Sequence, residues 1–159
     1  HNGLGAEVGH TTVLPGGEEC GCGHLGHLES YSSGTGIVKT VLREIKAGRQ
    51  SILSASADCI TAGQVAEAAR QGDEVAQEAY NLAGEFLGRS IGDLLHLFNP
   101  TIIILGGGVI KSGDLIMLPL RRALEQTVVS PQYLQDFQLT TAMLGDRVGL
   151  VGALALARA

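Results

Sequence analysis

The sequence predicts one α/β domain, and three observations support that fold class. Short runs of β-branched and other apolar residues alternate with longer segments that have helical spacing. The 159 residues are enough for one core, and 45% of them are hydrophobic while 17% are charged, as in globular rather than disordered chains. No internal repeat and no low-complexity segment divides the chain. We therefore expect a single α/β domain over residues 1–159.

The first half of the chain predicts a strand, a loop and two helical segments. Residues 6–13 alternate small or apolar with polar side chains and predict a strand, which a Pro-Gly-Gly turn follows. Residues 28–47 have helical spacing that two glycines interrupt, and Gly48 would end the helix. Thr61 can cap a further helix that continues to Gly72.

The second half predicts a long helix, two strands and a closing helix. Asp73 starts a helical pattern of about 25 residues, which an Asn-Pro pair ends. Residues 101–105 are β-branched or apolar and predict an interior strand of a parallel or mixed sheet. An amphipathic segment follows, and residues 137–143 alternate as a second strand. The small apolar residues over 148–157 predict a buried closing helix.

Charge and hydropathy argue against two classes of partner. A net charge of -5 does not fit a nucleic-acid surface in this segment. No stretch approaches the roughly 18 apolar residues of a membrane span, and no signal peptide is visible. Three cysteines suit a reducing compartment better than a disulfide scaffold, so we expect a cytoplasmic protein.

A glycine-rich loop over residues 7–29 carries the donors of a metal site. Cys20 and Cys22 are separated by one residue, His27 follows five residues later, and His10 would come from the preceding strand. A structural zinc ion takes four nitrogen or sulfur ligands in a tetrahedron. The sequence therefore predicts a zinc site with two cysteines and two histidines.

Two alternatives remain open for this loop. His24 could compete with His27 for the ion, although position favours His27. The cysteines could instead be small loop residues without a ligand, with the histidines in water. Elsewhere, Cys59 is expected to be a buried thiol, and His96 a histidine whose hydrogen bonds are satisfied in the core or at an interface.

The loop and its flanks resemble the zinc motif of the ROK family, which contains bacterial sugar kinases and sugar-responsive repressors. The family pattern is G-E-[IV]-G-H followed by C-x-C-G-x-x-G-C-x-E. This chain matches the pattern at Glu7, Gly9, His10, Cys20, Cys22, Gly23, Gly26 and Glu29. It departs at His27, where the family usually has cysteine, and histidine is also a competent zinc ligand.

The resemblance covers nearly the whole chain. Residues 61–73 resemble the helix pair that follows the zinc loop, residues 99–109 the nucleotide-side strand and turn, and residues 148–153 the closing G-x-x-G-A helix. It implies an actin-like ATPase (ribonuclease H-like) fold. Within that fold, the chain would be the C-terminal lobe of a two-lobe kinase, with the zinc loop as an insertion and the N-terminal lobe absent.

The resemblance also implies which residues contact a sugar. Glu7, His10 and Glu29 would bind hydroxyls around the anomeric end of a hexose, since carboxylates and imidazoles accept hydrogen bonds from hydroxyls. His10 would bind the zinc ion through one ring nitrogen and the sugar through the other, which makes the role of zinc structural. Without the resemblance, the two glutamates are more simply interpreted as solvated loop carboxylates.

A glycine triplet is the candidate nucleotide contact. It follows the strand at 101–105 directly, and backbone without Cβ can approach a flat ring or a phosphate closely. Glycine is common at such turns, so the pattern alone is weak. The resemblance assigns the adenosine of ATP, bound with Mg²⁺, to Gly106, Gly107 and Gly108.

The favoured function is an ATP-dependent hexose kinase, specifically a glucokinase that makes glucose 6-phosphate. The alternative is the sugar-sensing domain of a ROK-type transcriptional repressor, and a third possibility is a zinc-stabilised module without activity. The family's D-x-G-G-T phosphate loop and its Asn-Asp pair, whose aspartate is the catalytic base, do not occur in this sequence. We therefore expect no phosphorylation by these 159 residues alone. The resemblance also implies a homodimer or tetramer.

Overall fold

Seven α-helices and a two-stranded sheet make up the regular structure of the described residues. The structure, a computed structural model, describes residues 2 and 4–158, without the side chains of residues 56–58 and 146. The helices and strands are α1 (Glu29–Ser32), α2 (Gly34–Lys46), α3 (Ala62–Arg70), α4 (Glu74–Phe98), β1 (Ile102–Leu105), α5 (Asp114–Thr127), α6 (Gln132–Gln135), β2 (Gln138–Thr141) and α7 (Val148–Ala157). Short 3₁₀ turns occupy Val8–His10, Ser54–Cys59, Val109–Ser112 and Gly145–Arg147.

The predicted helix starts are confirmed by their caps. Thr61 and Gln64 form a reciprocal capping box at the start of α3. Asp73 accepts a 2.8 Å hydrogen bond from the backbone N–H of Ala76 and so caps α4. At the other end of α4, Asn99 adopts the left-handed conformation, which ends the helix before the sheet.

Helix α4 lies very close to α5 because three glycines, spaced four residues apart, face it. A Cβ atom at Gly88 would lie 2.2 Å from the carbonyl oxygen of Leu120, and one at Gly84 would lie 2.7 Å from that of Ile116. Gly92 is equally crowded by the end of α5. Only glycine therefore allows the two helices to pack at this separation.

The main core lies between α2, α3, α4 and the start of α5. Ile37, Val65, Tyr80 and Ile116 are almost completely buried there. The Tyr80 hydroxyl donates a 2.9 Å hydrogen bond to the carbonyl oxygen of Ala62, so its burial leaves no polar group unpaired. This helical layer supports the loop on one side and the sheet on the other.

The sheet consists of β1 and β2, which are parallel. Ile103 pairs with Leu139, and both pack toward a cluster built on Leu95 and Leu120. The prediction of a parallel strand is therefore confirmed. The prediction of an interior strand is not, because β1 has one neighbour among the described residues and Ile104 on its other face is 60% exposed.

The predicted strand over residues 6–13 is wrong. The backbone N–H and the hydroxyl of Thr11 both donate to the carbonyl oxygen of Val8, which closes a 3₁₀ turn in place of extended chain. Only Thr12 in this segment makes a β-bridge, with His27. The partner is a tight glycine-rich loop, which is too short and curved to pair with a whole strand.

The predicted closing helix forms, but its burial is not observed. Every described residue of α7 is exposed, including Leu150 at 76% and Leu154 at 50%. A helix that is apolar on all sides is expected to be buried by neighbouring elements, but no described element buries α7. Cys59 is also exposed rather than buried. No helix in the described part of the chain is long and apolar enough to cross a bilayer.

Candidate functional site

A tight knuckle presents the two cysteines of the loop. The backbone N–H of Cys20 donates to the carbonyl oxygen of His24 (2.8 Å), and that of Gly23 donates to the carbonyl oxygen of Cys20 (2.9 Å). Glu19 and Leu25 form an antiparallel bridge just outside this turn. The knuckle therefore fixes the backbone of both cysteines and of the intervening residues.

The base of the loop is fixed to α1 and to its own first turn. Gly26 has a φ of +74°, and a Cβ there would lie 1.7 Å from the carbonyl oxygen of Leu14. The hydroxyl of Tyr31 accepts a 2.7 Å hydrogen bond from the backbone N–H of Glu18. Tyr31 is itself buried, with its ring in edge contact with Phe86 on α4. The loop is thus positioned by the helical core.

The four predicted metal ligands come together. The donor atoms of His10, Cys20, Cys22 and His27 all lie within 4.8 Å of one another. The Sγ atom of Cys20 is 3.7 Å from Nδ1 of His10, and that of Cys22 is 3.2 Å from Nδ1 of His27. Ligands of a tetrahedral zinc ion with one sulfur and one nitrogen are about 3.6 Å apart. The donor set and its spacing fit a structural zinc ion.

The charge state of the loop also suits a metal. A hydrogen bond from the backbone of Cys22 is the largest influence that lowers the pKa of Cys20, to about 6, against the opposing effect of burial. The hydrogen bond with Cys20 raises the pKa of His10, and the charges of Glu29 and Glu7 raise it further. The lowered pKa of Cys20 favours the thiolate, which is the form that binds metal ions.

The predicted sugar contacts lie next to these ligands. Oε2 of Glu7 is 3.9 Å from Nε2 of His10, which is the ring nitrogen that does not face Cys20. A Cβ at Gly9 would lie 3.7 Å from Oε2 of Glu29, so that carboxylate lies close beside the same turn. Glu29 is the first residue of α1. Two carboxylates and one imidazole are thus close together and accessible.

A second candidate site is a cavity of about 490 Å³ at the carboxyl ends of the two strands. Gly106 and Gly107 line it, and Gly107 has a φ of +99°, which favours glycine. Gly108 does not line the cavity, because it already begins the following 3₁₀ turn. The other lining residues are Leu105, Ile110, Lys111, Thr141, Ala142, Gly145 and Val148.

Sequence reasoning did not identify the part of this cavity that follows β2. Leu105 pairs with Thr141 in the parallel register, so both strands end at the same edge. Ligands of open α/β sheets bind at the carboxyl ends of parallel strands. That rule, applied to the two predicted strands, would have indicated Thr141, Ala142 and Gly145. His96, in contrast, is satisfied as predicted, since it accepts a 3.2 Å hydrogen bond from the backbone N–H of Val129.

Comparison with curated proteins finds both enzymes and regulators. The chain is 36% identical to a glucokinase of Streptomyces coelicolor over 164 residues, an alignment that covers 99% of this chain and 52% of that protein. It is 34% identical to the N-acetylglucosamine repressor of Escherichia coli over 160 residues, which cover 99% of this chain and 38% of the repressor. The chain thus spans about half the length of the glucokinase and less of the repressor.

A solved structure and a family model both relate the chain to the ROK family. A ROK family glucokinase from Streptomyces griseus, crystallised with glucose and AMPPNP, superposes with a TM-score of 0.82 at 36% identity. The superposition covers 98% of this chain and 52% of that one, and it confirms the α/β fold. The model of the ROK family matches residues 1–159. The chain therefore belongs to the ROK family.

Proposed function

We propose that this chain is part of an ATP-dependent hexose kinase of the ROK type, with glucokinase as the favoured activity. The observation that carries the proposal is the cluster of Glu7, His10 and Glu29 beside the metal centre. The likeness to glucokinases over nearly the whole chain supports the same activity. In this proposal, the chain is the C-terminal lobe of a two-lobe enzyme, with the metal loop as an insertion.

The sugar site would use both carboxylates and one imidazole as hydrogen-bond acceptors. Glu7 and Glu29 would each accept from sugar hydroxyls, and Nε2 of His10 faces the same side as Glu7. His10, Cys20, Cys22 and His27 would hold zinc, which supplies a structural cross-link of the loop when it is bound. The zinc ion and its other three ligands would then orient the ring of His10 toward the hexose.

The nucleotide site would be the cavity at the strand ends. Gly106 and Gly107 expose backbone to it, and the side chains of Leu105, Ile110 and Val148 make part of its wall apolar. Such a surface suits the adenosine of ATP, whose phosphates would carry Mg²⁺. The phosphate loop and the catalytic base have no counterpart in this sequence, so phosphoryl transfer would need residues outside it.

A second candidate function is the sugar-sensing domain of a ROK-type repressor. It is favoured by the 34% identity to the N-acetylglucosamine repressor, which extends over 99% of this chain. A sensor would use the same three residues to bind the sugar without transferring phosphate. A cytoplasmic location and assembly as a dimer or tetramer are predicted for either function.

The test is a coupled assay of ATP-dependent glucose phosphorylation with the full-length protein that contains this segment. We expect turnover, and we expect Glu29→Gln to raise the KM for glucose. The matched control is Glu125→Gln, which changes an exposed helical glutamate on α5, away from the loop. A protein that binds glucose but shows no turnover, and that releases DNA when the sugar binds, would establish the repressor function instead.

A further inference from the structure

We propose that His24 is a second, exchangeable ligand of the metal centre, able to occupy the fourth coordination position in place of His27. This inference rests on the metal centre proposed above and goes beyond it. The centre would then have two ligand sets, which share His10, Cys20 and Cys22 and differ in one histidine.

The first support is the position of the His24 ring. Its Nδ1 atom is 3.7 Å from Sγ of Cys22, the same separation that joins Nδ1 of His10 to Sγ of Cys20. Both distances are close to the roughly 3.6 Å expected between a sulfur and a nitrogen ligand on one tetrahedral zinc ion. His24 is therefore as close to Cys22 as the predicted ligand His10 is to Cys20.

The second support is the relation between the two histidines. The rings of His24 and His27 are nearly parallel, with an angle of 10° and centroids 5.6 Å apart. His24 is outside the set of donors that lie within 4.8 Å of one another, so it is close to the ion position without occupying it. The two imidazoles therefore stand side by side next to Cys22.

The third support is the difference in exposure. His27 is only 8% exposed and its backbone pairs with Thr12, whereas His24 is on the outer surface of the loop. The backbone of His24 is fixed, since its carbonyl oxygen accepts the N–H of Cys20. Rotation of an exposed side chain can then bring its nitrogen to the ion while the loop stays in place.

The exchange is a ligand substitution that keeps charge and coordination number. A ring nitrogen of His24 would take the position that a ring nitrogen of His27 leaves, so one imidazole would replace another. Cys20 and Cys22 would hold the ion in both sets, and no electron would be transferred. Because His24 is exposed, this second set would give the ion a route between the buried set and the surrounding water.

The experiment measures zinc content after dialysis against a chelator, in the full-length protein. It compares the unchanged protein with His27→Ala, His24→Ala and the double variant His24→Ala/His27→Ala. We expect His27→Ala to retain zinc, and the double variant to bind zinc roughly tenfold or more weakly than His27→Ala does. If His27→Ala loses zinc as completely as the double variant does, the inference is wrong.

Two further variants separate this inference from the proposed metal centre. In a His27→Cys background, which restores the residue that the family usually carries, the addition of His24→Ala should leave zinc content unchanged. A further loss of zinc there would show that His24→Ala disturbs the loop rather than a ligand. Cys20→Ser tests the centre itself: if the unchanged protein and Cys20→Ser bind equally little zinc, the metal centre fails and not only His24.

If His27→Ala does not fold, the rate of zinc transfer to a chromogenic chelator gives the answer in a folded protein. We expect transfer from His24→Ala to be several-fold slower than from the unchanged protein, because the exposed exit ligand is lost. His96→Gln is the matched control, since that histidine lies on α4 and bonds to Val129. Equal transfer rates in the unchanged protein and His24→Ala would overturn the inference.

Discussion

The hydroxyl of Tyr31 accepts a 2.7 Å hydrogen bond from the backbone N–H of Glu18, and this bond joins the first helix to the loop that carries the candidate metal ligands. Tyr31 is 2% exposed and packs against Phe86 on α4. The side chain thus links the core of the domain to the residues that come just before Cys20. The position of the four candidate metal ligands therefore depends on a residue that is not one of them.

Replacement of Tyr31 by phenylalanine tests this link. The ring and its packing remain, but the N–H of Glu18 loses its acceptor, which should lower the free energy of unfolding by about 1–3 kcal/mol. Urea denaturation measures the change, and chelator competition should show weaker zinc binding. The control is Tyr133→Phe, because the hydroxyl of Tyr133 makes no hydrogen bond within the described residues. Equal stability of the two variants would contradict the role of Tyr31.

The glycine contact between α4 and α5 gives a second prediction. Gly88→Ala adds a Cβ that would lie 2.2 Å from the carbonyl oxygen of Leu120. Alanine is the better helix former by about 1 kcal/mol, but overpacking should cost about 1–3 kcal/mol. We therefore expect a lower thermal midpoint for the variant, measured by circular dichroism.

The control for that prediction is Gly63→Ala on the exposed side of α3. A Cβ at Gly63 has ordinary contacts, the nearest at 3.9 Å, so alanine should leave stability unchanged or raise it slightly. A midpoint for Gly88→Ala that is equal to or above that of the unchanged protein would show that the helices can separate without cost.

The helices could be predicted from the sequence because their signals are local. The capping box of Thr61 with Gln64 and the cap from Asp73 both depend on residues within one helical turn. The strand over residues 6–13 failed for the opposite reason. Its alternation fits a strand, but extended chain needs a partner, and the described residues supply only one bridge, from Thr12 to His27.

The residues of the two candidate sites also differ in how well they could be predicted from the sequence. The four metal donors could be predicted because C-x-C and its histidines are local in sequence. The cavity residues after β2 were not predicted, since no local motif marks them and they meet Gly106 through the parallel register of two strands more than 30 residues apart. The burial of α7 was predicted from its apolar composition. Composition does not show which other element packs against a helix, and α7 is exposed among the described residues.

The acid sensitivity of the fold should depend in part on Asp73. Burial raises its pKa, but the N–H groups of Ala76 and Ile52 donate to the carboxylate, and the net effect lowers the pKa. A lowered pKa in the folded state means stability that is present above the unfolded pKa of about 3.9. This stability is lost as the pH falls through the folded value.

Asp73→Asn removes that titration while its side chain can still cap α4. We expect the unfolding free energy of the variant to fall less steeply below about pH 4 than that of the unchanged protein. Urea denaturation across pH 2–6 measures this difference. Asp136→Asn, an exposed position outside the helices, is the control. An identical pH dependence of Asp73→Asn and the unchanged protein would exclude this contribution.

Removal of the metal is the last prediction, and it distinguishes the loop from the rest of the fold. Cys20 is 3% exposed and has two histidine neighbours, whereas Cys59 is exposed and lies outside the donor cluster. A chelator should therefore lower the thermal midpoint of the unchanged protein and of Cys59→Ser by the same amount, because a metal that binds only the folded state stabilises it. Cys20→Ser should begin at the lower midpoint and not respond to the chelator. A chelator response in Cys20→Ser as large as in Cys59→Ser would show that the stabilising ion is bound elsewhere.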